Sequence, residues 1–297
     1  MKRIFLFGLV NIAVIFLFSI VLILLQVVFG INVAEMAGQG YTGLLIYAGI
    51  FGFLGAFFSL FISKWMAKRT YGITPLTESD LYSLSTKEKL VWDTVMEISN
   101  KHGITMPEVG IYRSQDPNAF ATGATKNSSL VAVSTGLLNL MTEDEIEAVV
   151  AHEMAHILNG DMVTMTLLQG VMNTFVIFFA RILATMFDRV TEGKFGQLGF
   201  FGIYIVLQIV LGIVASVVVM WFSRHREFRA DEGASRYVGK EKMIRALQAL
   251  KRVVHPKEDP KFATMQISTQ TTSGFKKLFM SHPPLEERIR NLDNFRY

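Results

Sequence analysis

The sequence predicts an integral membrane protein dominated by α-helices (α+β class), with four transmembrane helices in two hairpins and a cytoplasmic domain that contains a small β-sheet. Three observations predict this fold class. Hydrophobic residues make up 51% of the 297 residues, whereas charged residues make up only 18%. Four apolar stretches each contain the ~20 residues that a helix needs to cross a bilayer. Basic residues cluster at one end of these stretches, which is the pattern that orients membrane helices.

The four apolar stretches account for the hydrophobic composition. The first follows Lys2 and Arg3 but is too long for the hydrophobic region of a secretory signal, and no A-x-A cleavage site comes after it. We therefore expect an uncleaved membrane anchor. The alternative, buried core helices of a soluble protein, is disfavoured because all four stretches are flanked by charge clusters. The stretches cover residues 4–29, about 41–66, about 164–187 and about 198–222.

Charged residues predict on which side of the membrane the polar parts lie. Segment 64–69 contains three basic residues, whereas the turn between the first two stretches contains only Glu35 as a charged residue. Segment 224–229, after the fourth stretch, contains three arginines. The positive-inside rule places both segments in the cytoplasm. In the alternative arrangement, the third and fourth stretches form a re-entrant hairpin that does not cross the membrane.

These assignments divide the chain into four parts. Two membrane hairpins alternate with two polar parts, and the polar parts are expected to assemble into one cytoplasmic domain. The expected boundaries are 1–69 for the N-terminal hairpin, 70–163 for the first cytoplasmic part, 164–222 for the second hairpin and 223–297 for the second cytoplasmic part.

Hydrophobic periodicity predicts the elements of the cytoplasmic parts. Apolar residues at helical spacing predict a helix that ends at Gly103. Thr142 and Glu145 have the spacing of a capping box, so a second helix should begin at Glu143 and continue to at least residue 158. Strands are expected at 108–113 and 128–134, further helices at 135–141, 226–239, 240–254 and 283–292, and a flexible loop at 267–275.

The segment VVAHEMAHILNGD (149–161) places two of the six histidines four residues apart. Because positions i and i+4 share one helical face, His152 and His156 can direct two imidazoles at one metal ion. Glu153 is rotated by about 100° from His152, so it is poorly placed as a ligand but can reach a water molecule as the general base of a metallopeptidase. The apolar surroundings favour a site over an exposed helix, since an unpaired buried carboxylate is costly.

A catalytic zinc ion needs a third protein ligand and an open coordination position. The extended form of the motif, with a glycine and a third histidine further along, is excluded because Asn159 and Met162 occupy those positions. The chain contains no cysteine. The third ligand must therefore be a histidine or a carboxylate from another part of the chain.

The segment REFRADE offers three carboxylates for this role, those of Glu227, Asp231 and Glu232. Glu227 and Asp231 share one helical face, so one can bind the metal while the other holds a ligand histidine in its tautomer. Two membrane stretches separate this segment from His156, which leaves both on the same side of the membrane.

The order of HEMAH, two apolar stretches, SRHREFRAD and SHPPLEERI resembles the HtpX family of heat-shock membrane proteases, which are gluzincins related to the CAAX prenyl endopeptidases. The resemblance covers essentially the whole chain. It implies a zincin-type catalytic domain with one zinc ion per chain, bound by His152, His156 and Glu227, and with Glu153 as the catalytic base. It also implies that Asp231 supports the site.

The resemblance further implies a role and a location. The expected protein is a multi-pass component of the bacterial cytoplasmic (inner) membrane whose catalytic domain faces the cytoplasm. Its expected role is the stress-related clearance of damaged or misfolded membrane proteins. The expected partners are protein substrates, mainly membrane proteins, and the lipid bilayer, with no nucleic acid.

Two further sites follow from the resemblance. The segment DPNAFATG resembles the family segment near the cleft, where an edge strand can bind an extended substrate through its backbone. An ordinary hairpin is the alternative. His282 is expected near the cleft, as a hydrogen-bond donor to the tetrahedral intermediate or to a ligand carboxylate, and a purely structural role remains open. The expected substrate-binding residues are Asn118, Ala119, Phe120 and Ala121.

Two alternative functions fit the sequence less well than proteolytic quality control. Processing of prenylated proteins belongs to relatives with longer chains and more membrane spans, and this chain lacks the extra spans. A non-proteolytic metal-binding or metal-transporting membrane protein would need ionisable ligands near the bilayer midplane, and the apolar stretches contain almost none.

Overall fold

The computed structural model describes residues 40–254 and 282–295, together with isolated residues between 20 and 32. The first apolar stretch lies largely outside the described residues, and the loop expected at 267–275 lies entirely outside them. The three strands follow one another in the chain, and helices precede and follow them.

The described part of the chain contains eight α-helices, one short 3-10 helix and three strands. The helices are α1 (Gly40–Tyr71), α2 (Thr86–His102), α3 (Thr135–Leu140), α4 (Glu143–Asn159), α5 (Asp161–Val190), α6 (Gly196–Val238), α7 (Lys240–Val254) and α8 (Leu285–Asn294), the 3-10 helix is Glu78–Tyr82, and the strands are β1 (Glu108–Tyr112), β2 (Ala119–Thr125) and β3 (Ser128–Ser134).

The chain folds into two compact units. The first comprises the described residues up to Leu60 together with Thr164–Val219, and the second comprises those of Phe61–Val163 and Met220–Tyr297. The first unit is therefore formed by the apolar parts of α1, α5 and α6. The second unit contains the sheet and all of the polar helices.

Helices α1, α5 and α6 are long and apolar enough to cross a membrane, so the described residues contain three candidate spans. In the first unit, α1 and α5 approach closely at Gly52, where a side chain would collide with Thr174 and with the backbone of Gly170. The Asn173 amide donates to the carbonyl of Gly52 at 3.5 Å. Small residues at the contact, together with a hydrogen bond between the helices, are typical of helix packing in lipid.

Helix α6 differs from the sequence prediction in one respect. The fourth apolar stretch and the helix expected at 226–239 form one continuous helix of 43 residues. No proline or helix-terminating glycine lies between the apolar part and Val238, so nothing in the sequence stops the helix at the membrane surface. The apolar part of α6 belongs to the first unit, and its last part, from Met220 to Val238, belongs to the second.

Helix α4 begins at Glu143, as the sequence predicts, and it continues past residue 158 to Asn159. The capping box is present, with the Thr142 backbone N–H donating to the Glu145 carboxylate at 2.9 Å. Gly160 ends the helix with a left-handed backbone at φ 70°. Since a residue with a side chain is strained in that conformation, glycine suits the sharp turn between α4 and α5.

The three strands form a mixed sheet in the order β1-β3-β2, with β1 parallel and β2 antiparallel to β3. One face packs on α2 and α4 in the main hydrophobic core, to which Val109, Val131 and Val133 contribute buried side chains, and α7 joins the same core by packing on α4. The opposite face carries a smaller cluster around Tyr112 and Leu130. Because β3 is central, β2 is an edge strand.

Candidate metal centre

The HEMAH residues lie in the C-terminal half of α4, where the helix faces the main core. His152 and His156 are both buried, and their rings are perpendicular with centroids 4.7 Å apart. Glu153 is only partly buried. Its carboxylate is close enough to help raise the pKa of His156. The helix thus points both imidazoles inward and leaves the intervening carboxylate in contact with solvent, as the 3.6-residue period requires.

The two imidazoles converge with Glu227 of α6. The Nε2 atoms of His152 and His156 are 3.2 Å apart. The Glu227 carboxylate lies 3.6 Å from Nε2 of His152 through Oε2 and 3.4 Å from Nε2 of His156 through Oε1. One nitrogen from each histidine and one oxygen from Glu227 therefore surround a common point.

The other nitrogen of each imidazole faces a buried carboxylate. Nδ1 of His152 lies 2.9 Å from Asp231, and Nδ1 of His156 lies 2.5 Å from Asp161. Each carboxylate accepts a hydrogen bond from Nδ1–H and so fixes the tautomer. Both Nε2 atoms then present lone pairs to each other and to the Glu227 carboxylate, an arrangement that only a proton or a cation between them stabilises.

The electrostatics of this cluster suit a metal cation. Oε1 of Glu227 is buried and has no hydrogen-bond partner among the described residues. Burial alone would lower the pKa of both histidines, but the surrounding carboxylates raise it overall, to about 9 for His156. The negative potential that attracts a proton to these nitrogens attracts a metal ion to the same place. The residues present therefore fit the metal that the sequence predicts.

Arg288 of α8 and His282, which precedes this helix, also contact the cluster. Arg288 is buried and donates to both oxygens of Asp231, at 2.8 Å from Nε and 2.6 Å from Nη2. Its Nη1 lies 3.4 Å from Oε2 of Glu227. His282, which is largely exposed, lies with Nδ1 2.8 Å from the same Oε2 atom. His282 was expected near the cleft, and its ring lies beside the Glu227 carboxylate.

Asp161 and Arg288 were not singled out from the sequence, although weak signals for both exist. Asp161 follows Gly160, which ends α4, so the turn can bring the Asp161 carboxylate back toward His156. Arg288 is the one basic position of PPLEERI, on the face of α8 that also buries Leu292. Glu232, the third carboxylate of REFRADE, instead accepts a hydrogen bond from Asn291 at 3.2 Å.

The edge strand β2 contains or adjoins the four residues expected to bind substrate. The N–H of Ser134 donates to the carbonyl of Asn118 at 2.9 Å, so Asn118 directs its backbone groups toward β3. Alternate residues of an antiparallel strand direct these groups to opposite sides, which leaves those of Ala119 and Ala121 on the open edge. Within the described chain, no strand pairs with that edge. The side chains of Ala119 and Ala121 pack on the core that contains α4.

Comparison with known proteins identifies the family. Residues 85–296 match the model of peptidase family M48. The chain belongs to peptidase family M48. It is 51% identical to Protease HtpX of Alkalilimnicola ehrlichii, over 100% of this chain and 99% of that protein. It is 48% identical to Protease HtpX of Idiomarina loihiensis, over the full length of both.

A solved structure shares the fold of this M48 peptidase. The crystal structure of S. mikatae Ste24p matches with a TM-score of 0.61 and 20% sequence identity, covering 96% of this chain and 67% of that chain. Family membership and the apolar helices together make the chain a bacterial integral membrane metalloprotease that acts on proteins. A metal ion belongs to this activity, and the cluster of two histidines and one glutamate is suited to bind it.

Proposed function

We propose that this M48 peptidase is a zinc-dependent endopeptidase of the bacterial inner membrane that cleaves damaged or misfolded membrane proteins on the cytoplasmic side. The observation that carries the proposal is the convergence of His152, His156 and Glu227 on one point. A catalytic zinc site typically has this donor set of two imidazole nitrogens and one carboxylate oxygen, together with an open coordination position. One ion per chain is expected.

The residues around these three ligands hold them in a fixed orientation. Asp231 and Asp161 each accept a hydrogen bond from one histidine. Arg288 and His282 contact the carboxylate of Glu227. Each ligand therefore has a partner that restricts its rotation, which reduces the entropy lost when the ion binds.

Glu153 is the proposed catalytic base. When bound, zinc supplies Lewis-acid polarisation of the scissile carbonyl and acidifies a water molecule. Glu153 takes the proton from the attacking water, and it then delivers that proton to the amine nitrogen as the C–N bond breaks. Its partial exposure suits this role, because the carboxylate must meet both water and substrate.

Substrate binding is assigned to the edge strand. The outward-facing amides and carbonyls of Ala119 and Ala121 can pair with an extended peptide as an additional antiparallel or parallel strand. Backbone pairing of this kind does not read side chains. It therefore selects segments that have lost their own structure, which is the property that distinguishes misfolded proteins from folded ones.

Chelation and reconstitution test the metal assignment. The full-length protein in detergent should contain about one zinc per chain, lose proteolysis of an unfolded protein when stripped with a chelator, and regain it with zinc. Glu227→Ala should lose most of the metal, because it removes the buried ligand oxygen. Glu232→Ala is the matched control and should retain it. Equal zinc content in both variants would reassign the third ligand.

The proposed topology has four spans, with hairpins at 1–69 and 164–222 and catalytic parts at 70–163 and 223–297. Single cysteines introduced by Gly38→Cys and Lys194→Cys test it, since the chain contains no cysteine of its own. Both should react with a membrane-impermeant thiol reagent applied to the periplasmic side. Reaction at residue 38 but not at residue 194 would show that α5 and α6 form a re-entrant hairpin.

A further inference from the structure

The side chain of Phe120 points away from the metal-binding helix. Because side chains alternate along a strand, Ala119 and Ala121 face the core that contains α4, whereas Phe120 lies on the opposite face of the sheet. On that face, the ring centroid of Phe120 lies 5.2 Å from that of Tyr71 and 5.8 Å from that of Tyr112.

Tyr71 is the last residue of α1, and it completes a cluster of three aromatic rings. Its ring centroid lies 4.9 Å from that of Tyr112, so it bridges the edge strand and β1. Such tilted pairs contribute packing energy beyond the area that they bury. The half-exposed ring of Tyr71 is the outer member of the cluster, and it covers Phe120 and Tyr112 from the side of the helix.

Additional contacts fix the end of α1 on this face of the sheet. Lys64 and Lys68 form ion pairs with the two oxygens of Glu108, at 3.1 and 3.0 Å. Ile73 packs where a side chain at Gly110 would collide with it, so the chain that leaves α1 lies directly on β1. The position of Tyr71 is therefore determined by contacts with β1 that do not involve β2.

We infer that Tyr71 is a positioning residue for substrate binding, which rests on the proposed role of β2. Its ring holds Phe120, and Phe120 is the residue between the two alanines whose backbone groups face the open edge. The last turn of a membrane helix thereby sets the position of the strand that pairs with the substrate, from the side opposite the metal centre. Tyr71 makes no contact with the metal ligands and should leave the chemical step unchanged.

Steady-state kinetics of the full-length protein on an extended peptide test this inference. Tyr71→Ala should raise KM by about 3- to 10-fold, the effect expected from losing aromatic pairs of this kind, with kcat and zinc content unchanged. Tyr71→Phe should restore the wild-type KM, because it keeps the ring. Tyr82→Ala is the matched control, since Tyr82 is a nearby tyrosine that is 97% exposed.

A direct change in the edge strand separates the two proposals. In Ala121→Pro the lost N–H is one that faces the open edge, so pairing with β3 is preserved while pairing with substrate is weakened. If Ala121→Pro leaves KM unchanged, β2 does not bind substrate, and both the edge-strand proposal and the role of Tyr71 are overturned. If Ala121→Pro raises KM but Tyr71→Ala does not, only the role of Tyr71 is overturned. Loss of zinc in Tyr71→Ala would also overturn it, because a positioning residue for β2 leaves the metal centre intact.

Discussion

The candidate metal centre is buried and its polar atoms face charged neighbours, whereas the edge strand is only partly buried and offers backbone groups at its open edge. At the metal centre, position is set by ion pairs and hydrogen bonds between side chains from α4, α5, α6 and α8. In β2, position is set by packing of its side chains on the two faces of the sheet. The two regions share the core between α4 and β2.

This difference separates two kinds of functional change. Removing a charge from the buried cluster leaves its partner unpaired in a poorly solvated place, so the cost is large and affects metal binding or chemistry. Removing a packing contact from β2 makes the position of this strand less well defined. Because water and substrate can still reach the strand, the cost is smaller and affects substrate affinity. Variants in the two regions should therefore separate into effects on kcat and effects on KM.

The largest effect is expected for the catalytic base. Glu153→Gln should retain about one zinc per chain and lower kcat by roughly 10²- to 10⁴-fold, because it removes proton transfer while leaving the ligands in place. Zinc content and single-turnover proteolysis measure the two quantities separately. Glu143→Gln, on the exposed first turn of the same helix, is the matched control and should keep wild-type activity.

If Glu153→Gln lowers only substrate affinity, the expected division between effects on kcat at the metal centre and effects on KM at β2 is wrong. Such a result would mean that this carboxylate contributes to binding rather than to proton transfer. A variant that loses its zinc together with its activity would instead place Glu153 among the groups that hold the metal.

A smaller effect is expected for the carboxylates that face the histidines. Asp231→Asn and Asp161→Asn should each weaken zinc affinity by about 10- to 100-fold, since the amide no longer provides a charged acceptor for the Nδ1 proton. Competition with a metal-binding dye would measure this. Asp144→Asn, in the exposed first turn of α4, should leave zinc affinity unchanged. Unaltered affinity in Asp161→Asn would show that His156 does not depend on this carboxylate for its orientation.

The sequence allowed His152, His156 and Glu227 to be proposed as ligands because the information is local or carried by the family motifs. His152 and His156 share a helical face whatever the rest of the chain does. The capping box at Thr142 and the glycine at residue 160 fix where α4 begins and ends. Glu227 could be chosen over Asp231 and Glu232 only by resemblance, since helical spacing alone allowed more than one of the three carboxylates.

The remaining features depend on packing between residues that are distant in sequence. The hydrophobic periodicity of a single sequence does not predict such contacts. Arg288 reaches Asp231 only because α8 returns to the end of α6, more than fifty residues later in the chain. The edge position of β2 depends on β1 pairing in parallel with β3, and strand order is not visible in the alternation of side chains. The support of Phe120 by Tyr71 likewise joins elements that are distant in sequence.

The smallest effect is expected at Glu108, whose ion pairs with Lys64 and Lys68 are partly exposed to solvent. Partial burial alone would raise the pKa of Glu108, but the two ammonium groups lower it overall from its ordinary value of 4.5. A carboxylate with a lowered pKa stabilises the folded state above the pKa of the unfolded chain, and this contribution is lost as the pH falls through the folded-state pKa.

Glu108→Gln should therefore lower the melting temperature of the solubilised protein at pH 7 by only about 1–3 °C, which corresponds to the ~0.2–1 kcal/mol typical of exposed pairs. The difference from wild type should narrow as the pH falls from 5 toward 3, and it should also narrow in high salt, which screens the pairs. Tryptophan fluorescence during heating, at several pH values, measures both trends. A difference of equal size at every pH would show that the shape of the side chain, rather than its charge, joins α1 to the sheet. A decrease as large as that of a buried pair would mean that these partly exposed charges contribute as much to stability as the charges of the buried cluster do.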